Sequence, residues 1–178
     1  MIIYNPAVYI NTTDNSSRFV LGTKGIHPLC VIGVNPSKAD EKKPDLTLRK
    51  VIGFADRYGF DSFFMFNLYP ERATDPKRLS KECELGLLSQ NIAHIRNILI
   101  DLKEIILLAA WGGTIDERDY LMDCLLEIHS SLLEFDMKWV KLGDMTVSNH
   151  PRHPSRAPYK LELTAFDISG YLEMHRSE

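Results

Sequence analysis

Pro28-Leu29-Cys30-Val31-Ile32-Gly33-Val34-Asn35-Pro36-Ser37 is the stretch whose reading decides the fold. Its first part is a continuous apolar run bounded by prolines, which predicts a strand over 29–34 buried on both faces. Pro36 has no amide hydrogen to give to a sheet ladder and biases Asn35 towards an extended backbone, so the chain leaves the sheet there. Asn35 and Ser37 are thereby placed at the carboxyl end of a strand, where open α/β sheets hold their ligands.

Downstream, residues 62–66 repeat the pattern and end at Asn67-Leu68-Tyr69-Pro70, and residues 104–110 repeat it again, ending at Trp111-Gly112-Gly113. Helical periodicities lie between these runs. Val51, Phe54, Ala55 and Tyr58 recur at helical spacing behind Asp45, whose carboxylate is suited to cap the first turn, and Gly59 closes that helix. Leu85, Leu88, Ile92, Ile95, Leu99 and Leu102 form the stripe of a helix entered near Ser80; Leu121, Leu125, Ile128 and Leu132 form another. Upstream, residues 1–17 read as a short strand and a polar turn, and residues 18–22 as a strand at an edge. Residues 139–142 and 145–147 suggest a hairpin about Gly143-Asp144. A last amphipathic helix over about 157–175 carries Leu161, Ala165, Ile168 and Leu172. Strands alternating with helices predict an α/β fold, a three-layer αβα sandwich with a mainly parallel central sheet, in one domain spanning 1–178.

The bulk composition narrows the function classes. Cys30, Cys83 and Cys124 are widely spaced and odd in number, which argues for free thiols in a reducing cytosol and against a disulfide framework. No apolar run reaches the roughly 18 residues of a membrane span, and no signal-peptide pattern opens the chain. A cytoplasmic protein with no membrane partner is expected. The net charge of -3 gives no global basic footprint, so any nucleic-acid contact would be a local patch. The sequence points to no protein partner, metal or other cofactor.

The polar punctuation at the strand ends carries the chemistry. Asn35-Pro36-Ser37 can form a capping turn, or present an amide and a hydroxyl that orient a water or ligand. Asp40 and Asp45 are nearby carboxylates; a solvated residue and a helix cap are the bland readings, and general-base work is the other. Asn67 ends a buried run, where its amide is either satisfied by backbone or reads a nucleobase edge. Arg72 can pair with Asp75 or meet a phosphate. Trp111 beside Gly112 can pack into the core or stack a base. His150-Pro151-Arg152-His153-Pro154-Ser155-Arg156 holds two histidines and two arginines between prolines. His-x-x-His invites zinc, but no third ligand stands at a familiar spacing. A substrate-facing loop supplying imidazole and guanidinium fits better.

These residues, taken in order, resemble a known family. Asn35-Pro36-Ser37 with Ala39-Asp40, Asp45-x-Thr47-x-Arg49, Asn67-Leu68, Arg72-Ala73-Thr74-Asp75-Pro76, Ala110-Trp111-Gly112 and His150-Pro151-Arg152-His153-Pro154 look like the bacterial and phage proteins grouped as domain of unknown function 1643, over about residues 18–160. More distantly, the chain is similar to the uracil-DNA glycosylase superfamily. Its αβα sandwiches carry a water-positioning Gly-x-Asn-Pro-Gly motif, here Gly33-Val34-Asn35-Pro36-Ser37. A base-reading asparagine, a Trp-Gly strand end and a final His-Pro-Ser find counterparts in Asn67, Trp111-Gly112 and His153-Pro154-Ser155.

That likeness implies that Asn35 positions water, Asn67 reads the base and His153 stabilises the departing base, with Arg152 and Arg156 on phosphate. Position 35 is Asn where the most active branches carry Asp, Ser37 replaces a glycine, and the iron–sulfur cysteines of some branches have no counterpart. The expected function is hydrolysis of an N-glycosidic bond, in nucleic acid or in a nucleotide. A non-catalytic module binding a nucleotide or modified base is the alternative, and hydrolysis or transfer on a small nucleoside metabolite a third.

Overall fold

The run that opens the sequence reading is a strand with every residue buried, Pro28–Gly33 (β3). The computed structural model, which describes residues 1–176, places it at the centre of one seven-stranded sheet. Val8–Asn11 (β1) and Arg18–Gly22 (β2) precede it. Leu46–Arg57 (α1), Ser62–Asn67 (β4), Leu85–Leu99 (α2), Ile105–Ala109 (β5) and Tyr120–Ser131 (α3) follow. Met137–Leu142 (β6), Leu163–Ala165 (β7) and Ile168–Arg176 (α4) complete the chain.

The sheet order is β1-β2-β4-β3-β5-β6-β7. The central four strands, β4, β3, β5 and β6, run parallel, because a helical crossover returns the chain to the same end of the sheet each time. β1, β2 and β7 are antiparallel to their neighbours. The sheet is therefore mixed, not mainly parallel, and β2 lies between β1 and β4 and not at an edge. The correction has a local cause. A polar turn after Asn11 folds β1 back on β2, and β2 then pairs antiparallel through Leu21 opposite Met65.

Alternation along β3 divides the core into two layers. Cys30 and Ile32 face a cluster built with α2, α3 and α4 through Ile95, Leu125 and Leu172. Leu29 and Val31 face the other cluster, completed by α1 through Leu48, Val51 and Phe54. Helices thus cover both faces, compatible with a sandwich. The Asp45 carboxylate caps α1 by accepting from the Leu48 amide at 2.9 Å, as expected.

Three boundaries differ from expectation. The helix entered near Ser80 begins only at Leu85, after a single 3-10 turn at Pro76–Arg78. Residues 145–147 form no strand: the Thr146 amide donates to the His150 carbonyl at 2.8 Å, and the Thr146 hydroxyl accepts from the His150 amide at 3.1 Å. The free edge of β6 is instead taken by β7, inside the expected 157–175 helix, with Leu142 opposite Leu163. The chain after it is helical only from Ile168. Among the described residues no helix is long and apolar enough to cross a membrane.

Candidate functional site

The chain turns from β3 to β4 on one side and then to β5 on the other, which leaves a crevice between the tips of β3 and β5. A cavity of about 660 Å³ opens there. One wall is the β3 tip with Gly33, Asn35 and Ser37; the opposite wall is Gly112, Gly113 and Thr114 after β5. The start of α1 contributes Asp45 and Thr47, and the segment 146–157 closes over the opening. The volume lies within the usual range for small-molecule sites, roughly 300–1,000 Å³.

Asn35 is half-buried on the cavity wall. Its amide nitrogen donates to the carbonyls of Ala73 at 2.8 Å and Pro36 at 3.0 Å, pinning the loop after β4 against its own turn. The nitrogen is thereby engaged, and among the described residues nothing donates to Oδ1. Asn67, expected to read a base, lies fully buried beneath this turn. Its surroundings orient its amide nitrogen to donate to the Asn35 carbonyl at 3.2 Å and to that of Phe66 at 3.3 Å. It supports the turn from below and does not line the cavity.

Trp111 is likewise wholly buried. Its ring meets Trp139, Phe166 and Tyr171 at tilted or edge-on angles, and its indole Nε1 donates to the Tyr171 hydroxyl at 3.1 Å. No face of it lines the cavity. The Tyr171 hydroxyl also meets Nδ1 of His150 at 2.7 Å, and Nε2 of His150 meets the Asp116 carboxylate at 2.9 Å. His150, buried and off the cavity, thus ties the 146–156 segment to α4 and to the turn at Gly112–Glu117. Burial pushes the Tyr171 hydroxyl well above its usual range, against the donation from Trp111.

Gly112 has φ of +59°, and a Cβ there would approach the His153 Cβ to 3.0 Å. Glycine at this position lets the histidine segment lie against the tip of β5. His153 lines the cavity. Its Nδ1 accepts from the Ser155 amide at 3.3 Å and faces the Ser155 hydroxyl at 2.7 Å. Burial depresses its pKa, against the attraction of Asp45. An unprotonated Nδ1 leaves the ring hydrogen on Nε2, which has no partner among the described residues. The result is a neutral donor on the cavity wall.

Arg152, Ser155 and Arg156 line the same cavity, the first braced by a 3.0 Å bond from Nε to the Asp144 carbonyl. Asp45 lines it too, with Oδ1 capping α1 and Oδ2 free of any such bond. Asp40 stands apart. Its Oδ1 accepts the amides of Lys42 at 2.9 Å and Lys43 at 2.8 Å, which holds its carboxyl below the usual range. Arg72 meets neither Asp75 nor the cavity; it donates to the carbonyls of Ser37 at 2.8 Å and Ala39 at 3.3 Å and to the Tyr9 hydroxyl.

The structure therefore gathers Asn35, Ser37, Gly112, Arg152, His153, Ser155 and Arg156, and places Asp40, Asn67, Arg72, Trp111 and His150 behind or beside the walls. Sequence reading missed Arg18, Thr114, Glu117 and Thr146. A charge opening the otherwise apolar run Arg18–Gly22 was the available signal for the first. Among the described residues no three His, Cys, Asp or Glu side chains cluster to hold a metal ion.

A family model described as protein of unknown function (DUF1643) matches residues 18–155, from β2 through the histidine segment. No curated protein and no solved structure matches the chain.

Proposed function

We propose, from the premise that this chain belongs to the DUF1643 family of proteins of unknown function, that its cavity binds a nucleotide and hydrolyses the N-glycosidic bond. The observation that carries the proposal is His153, a neutral imidazole facing the cavity with Nδ1 bonded to Ser155 and Nε2–H unpartnered. Such a donor stabilises the negative charge that develops on a base as it leaves, with no proton transfer required at that moment. The resemblance of Asn35-Pro36-Ser37 and His153-Pro154-Ser155 to the motifs of uracil-DNA glycosylases favours the same chemistry.

In the reaction, a water oxygen forms a bond to C1′ of the sugar while the C1′–N bond breaks and its electron pair departs on the base. Asn35 Oδ1 accepts a hydrogen bond from that water and orients it. The free oxygen of Asp45 takes the proton the water loses. Arg152 and Arg156 place positive charge at the opening, which draws an anionic nucleotide towards the cavity. Asp40 and Trp111 take no part, and Asn67 acts only by holding the Asn35 turn.

Release of free base from 5′-mononucleotides, and from single- and double-stranded DNA carrying uracil or hypoxanthine, followed by chromatography, tests the reading. Base release that Asn35→Ala and His153→Ala both abolish is the expected result. Folded protein that releases no base from any of these substrates would sink it. A second reading, a module that binds nucleotides without turnover, is favoured by Asn35, whose amide nitrogen is held by backbone carbonyls. Binding without release, lost in His153→Ala, would select it.

A further inference from the structure

Arg18 has no part in the reading above, yet it is the least exposed charged side chain on the cavity wall, 2 % exposed. The other charged groups there, Asp45, Glu117, Arg152 and Arg156, are half-buried or exposed. Arg18 stands at the first position of β2, where the strand runs antiparallel to β4 and so begins at the cavity end of the sheet. Its Nη1 donates to the Ala39 carbonyl at 3.0 Å, and its Nε is buried with no partner among the described residues. Arg72 lies close behind it, bonded to the same Ala39 carbonyl, with its own Nε buried and unpartnered among the described residues. Neither guanidinium forms an ion pair with any described carboxylate.

A buried Arg18 with the half-buried Arg72 beside it, and no described carboxylate within ion-pair distance of either, is an unusual arrangement, since buried charges are normally paired. Burial first and Arg72 second pull the pKa of Arg18 down to about 10, against the attraction of the more distant Asp45, which still leaves it charged at neutral pH. The carbonyls of Ser37 and Ala39 answer some donors but supply no counter-charge. Arg18 meets open space only along the wall of the cavity.

We infer that Arg18, backed by Arg72, is a buried anion subsite that takes the terminal phosphate of the ligand, so that the substrate is a free mononucleotide and not a nucleotide within a polymer. The anion subsite stands by itself; its assignment to a mononucleotide rests on the function proposed above. A phosphomonoester carries close to two negative charges at neutral pH, matching two guanidiniums. A phosphodiester within a strand carries one, and its chain must leave in both directions. A side chain almost wholly enclosed suits the first and obstructs the second. The net charge of -3 also gives a long polyanion no general attraction.

Thermal unfolding of the intact chain at matched ionic strength tests this with inorganic phosphate, uridine 5′-monophosphate, inosine 5′-monophosphate, the corresponding nucleosides and a single-stranded uracil-containing oligonucleotide. Phosphate and the monophosphates are expected to raise the Tm, and the nucleosides and oligonucleotide to leave it unchanged. Arg18→Met is expected to lose at least tenfold in affinity for both monophosphates, with Arg18→Lys between it and wild type. Wild-type protein that ignores phosphate and monophosphates, or binds nucleosides as tightly as nucleotides, overturns the inference, and so does an Arg18→Met protein that binds them unchanged. Should Arg18→Met fail to fold, Arg18→Lys still decides: affinity for both monophosphates unchanged from wild type overturns the inference. Base release from the oligonucleotide alone would refute this inference while upholding the glycosidic chemistry; phosphate binding without base release would do the reverse.

Discussion

His153 concentrates the chemistry at the scale of one side chain. Because burial lowers its pKa, the neutral donor persists as pH falls past about 6.5, the ordinary histidine value. The rate of base release should accordingly stay level through that pH and decline only below it; an acid limb centred at 6.5 or higher would contradict the assigned role. Removing the donor in His153→Ala should cost about 100- to 1,000-fold in kcat, the usual effect of losing one group that faces developing charge. Single residues also mark where sequence reading reached its limit. Asn35 and His153 were legible because prolines fix the backbone beside them. Trp111 was not, since one step along a strand exchanges faces: Ala110 belongs to the α1 layer and Trp111 to the opposite one. Asn67 needed knowledge of the Asn35 carbonyl above it, and Arg18 of a loop distant in the chain.

Elements position these residues by their ends. The amino end of α1 is capped by Asp45, which faces the cavity at the same time. Two substitutions separate these duties. Asp45→Asn keeps a good capping side chain and should change stability by only about a few tenths of a kcal/mol while sharply lowering base release. Asp45→Ala should lose about 1 kcal/mol in chemical denaturation as well. Equal activity in Asp45→Asn and wild type would remove Asp45 from the reaction. At the tip of β5, Gly112→Ala should lose about 1–2 kcal/mol, because its left-handed backbone disfavours a side chain and the added methyl presses on His153. Its base release should fall with its stability. The buried parallel strands were readable from apolar runs alone. β7 was not, since three residues with two half-buried side chains give little periodicity, and the free edge of β6 decides their state.

Over the whole molecule, buried titratable groups set the response to acid. Burial lowers the pKa of His94, His129 and His153. Between the folded values and about 6.5 the unfolded chain therefore binds more protons, so these groups favour unfolding increasingly as pH falls through that window. Asp14 and Asp40 are held below the ordinary carboxylate range, and the stability they add is lost at lower pH, below about 4. Tm measured against pH should hold above 6.5, decline below it and decline again below 4; a Tm that rises from pH 7 to 5.5 would contradict this. The mixed sheet was hidden from the sequence because strand direction depends on pairing, which no single run reveals. The contacts from Trp111 through Tyr171 and His150 to Asp116 span β5, α4, the histidine segment and the turn beside the cavity. A carboxylate can only accept, so Asp116 fixes the sense of the series from its outer end. Nε2 of His150 presents a hydrogen to Asp116, so in the uncharged form of the ring Nδ1 accepts from the Tyr171 hydroxyl, whose oxygen receives the Trp111 indole hydrogen. Nitrogen-15 shifts of His150 should report that tautomer in wild type and a mixture in Asp116→Ala, so a hydrogen-bond polarity set by a surface carboxylate is carried inward to the tryptophan cluster.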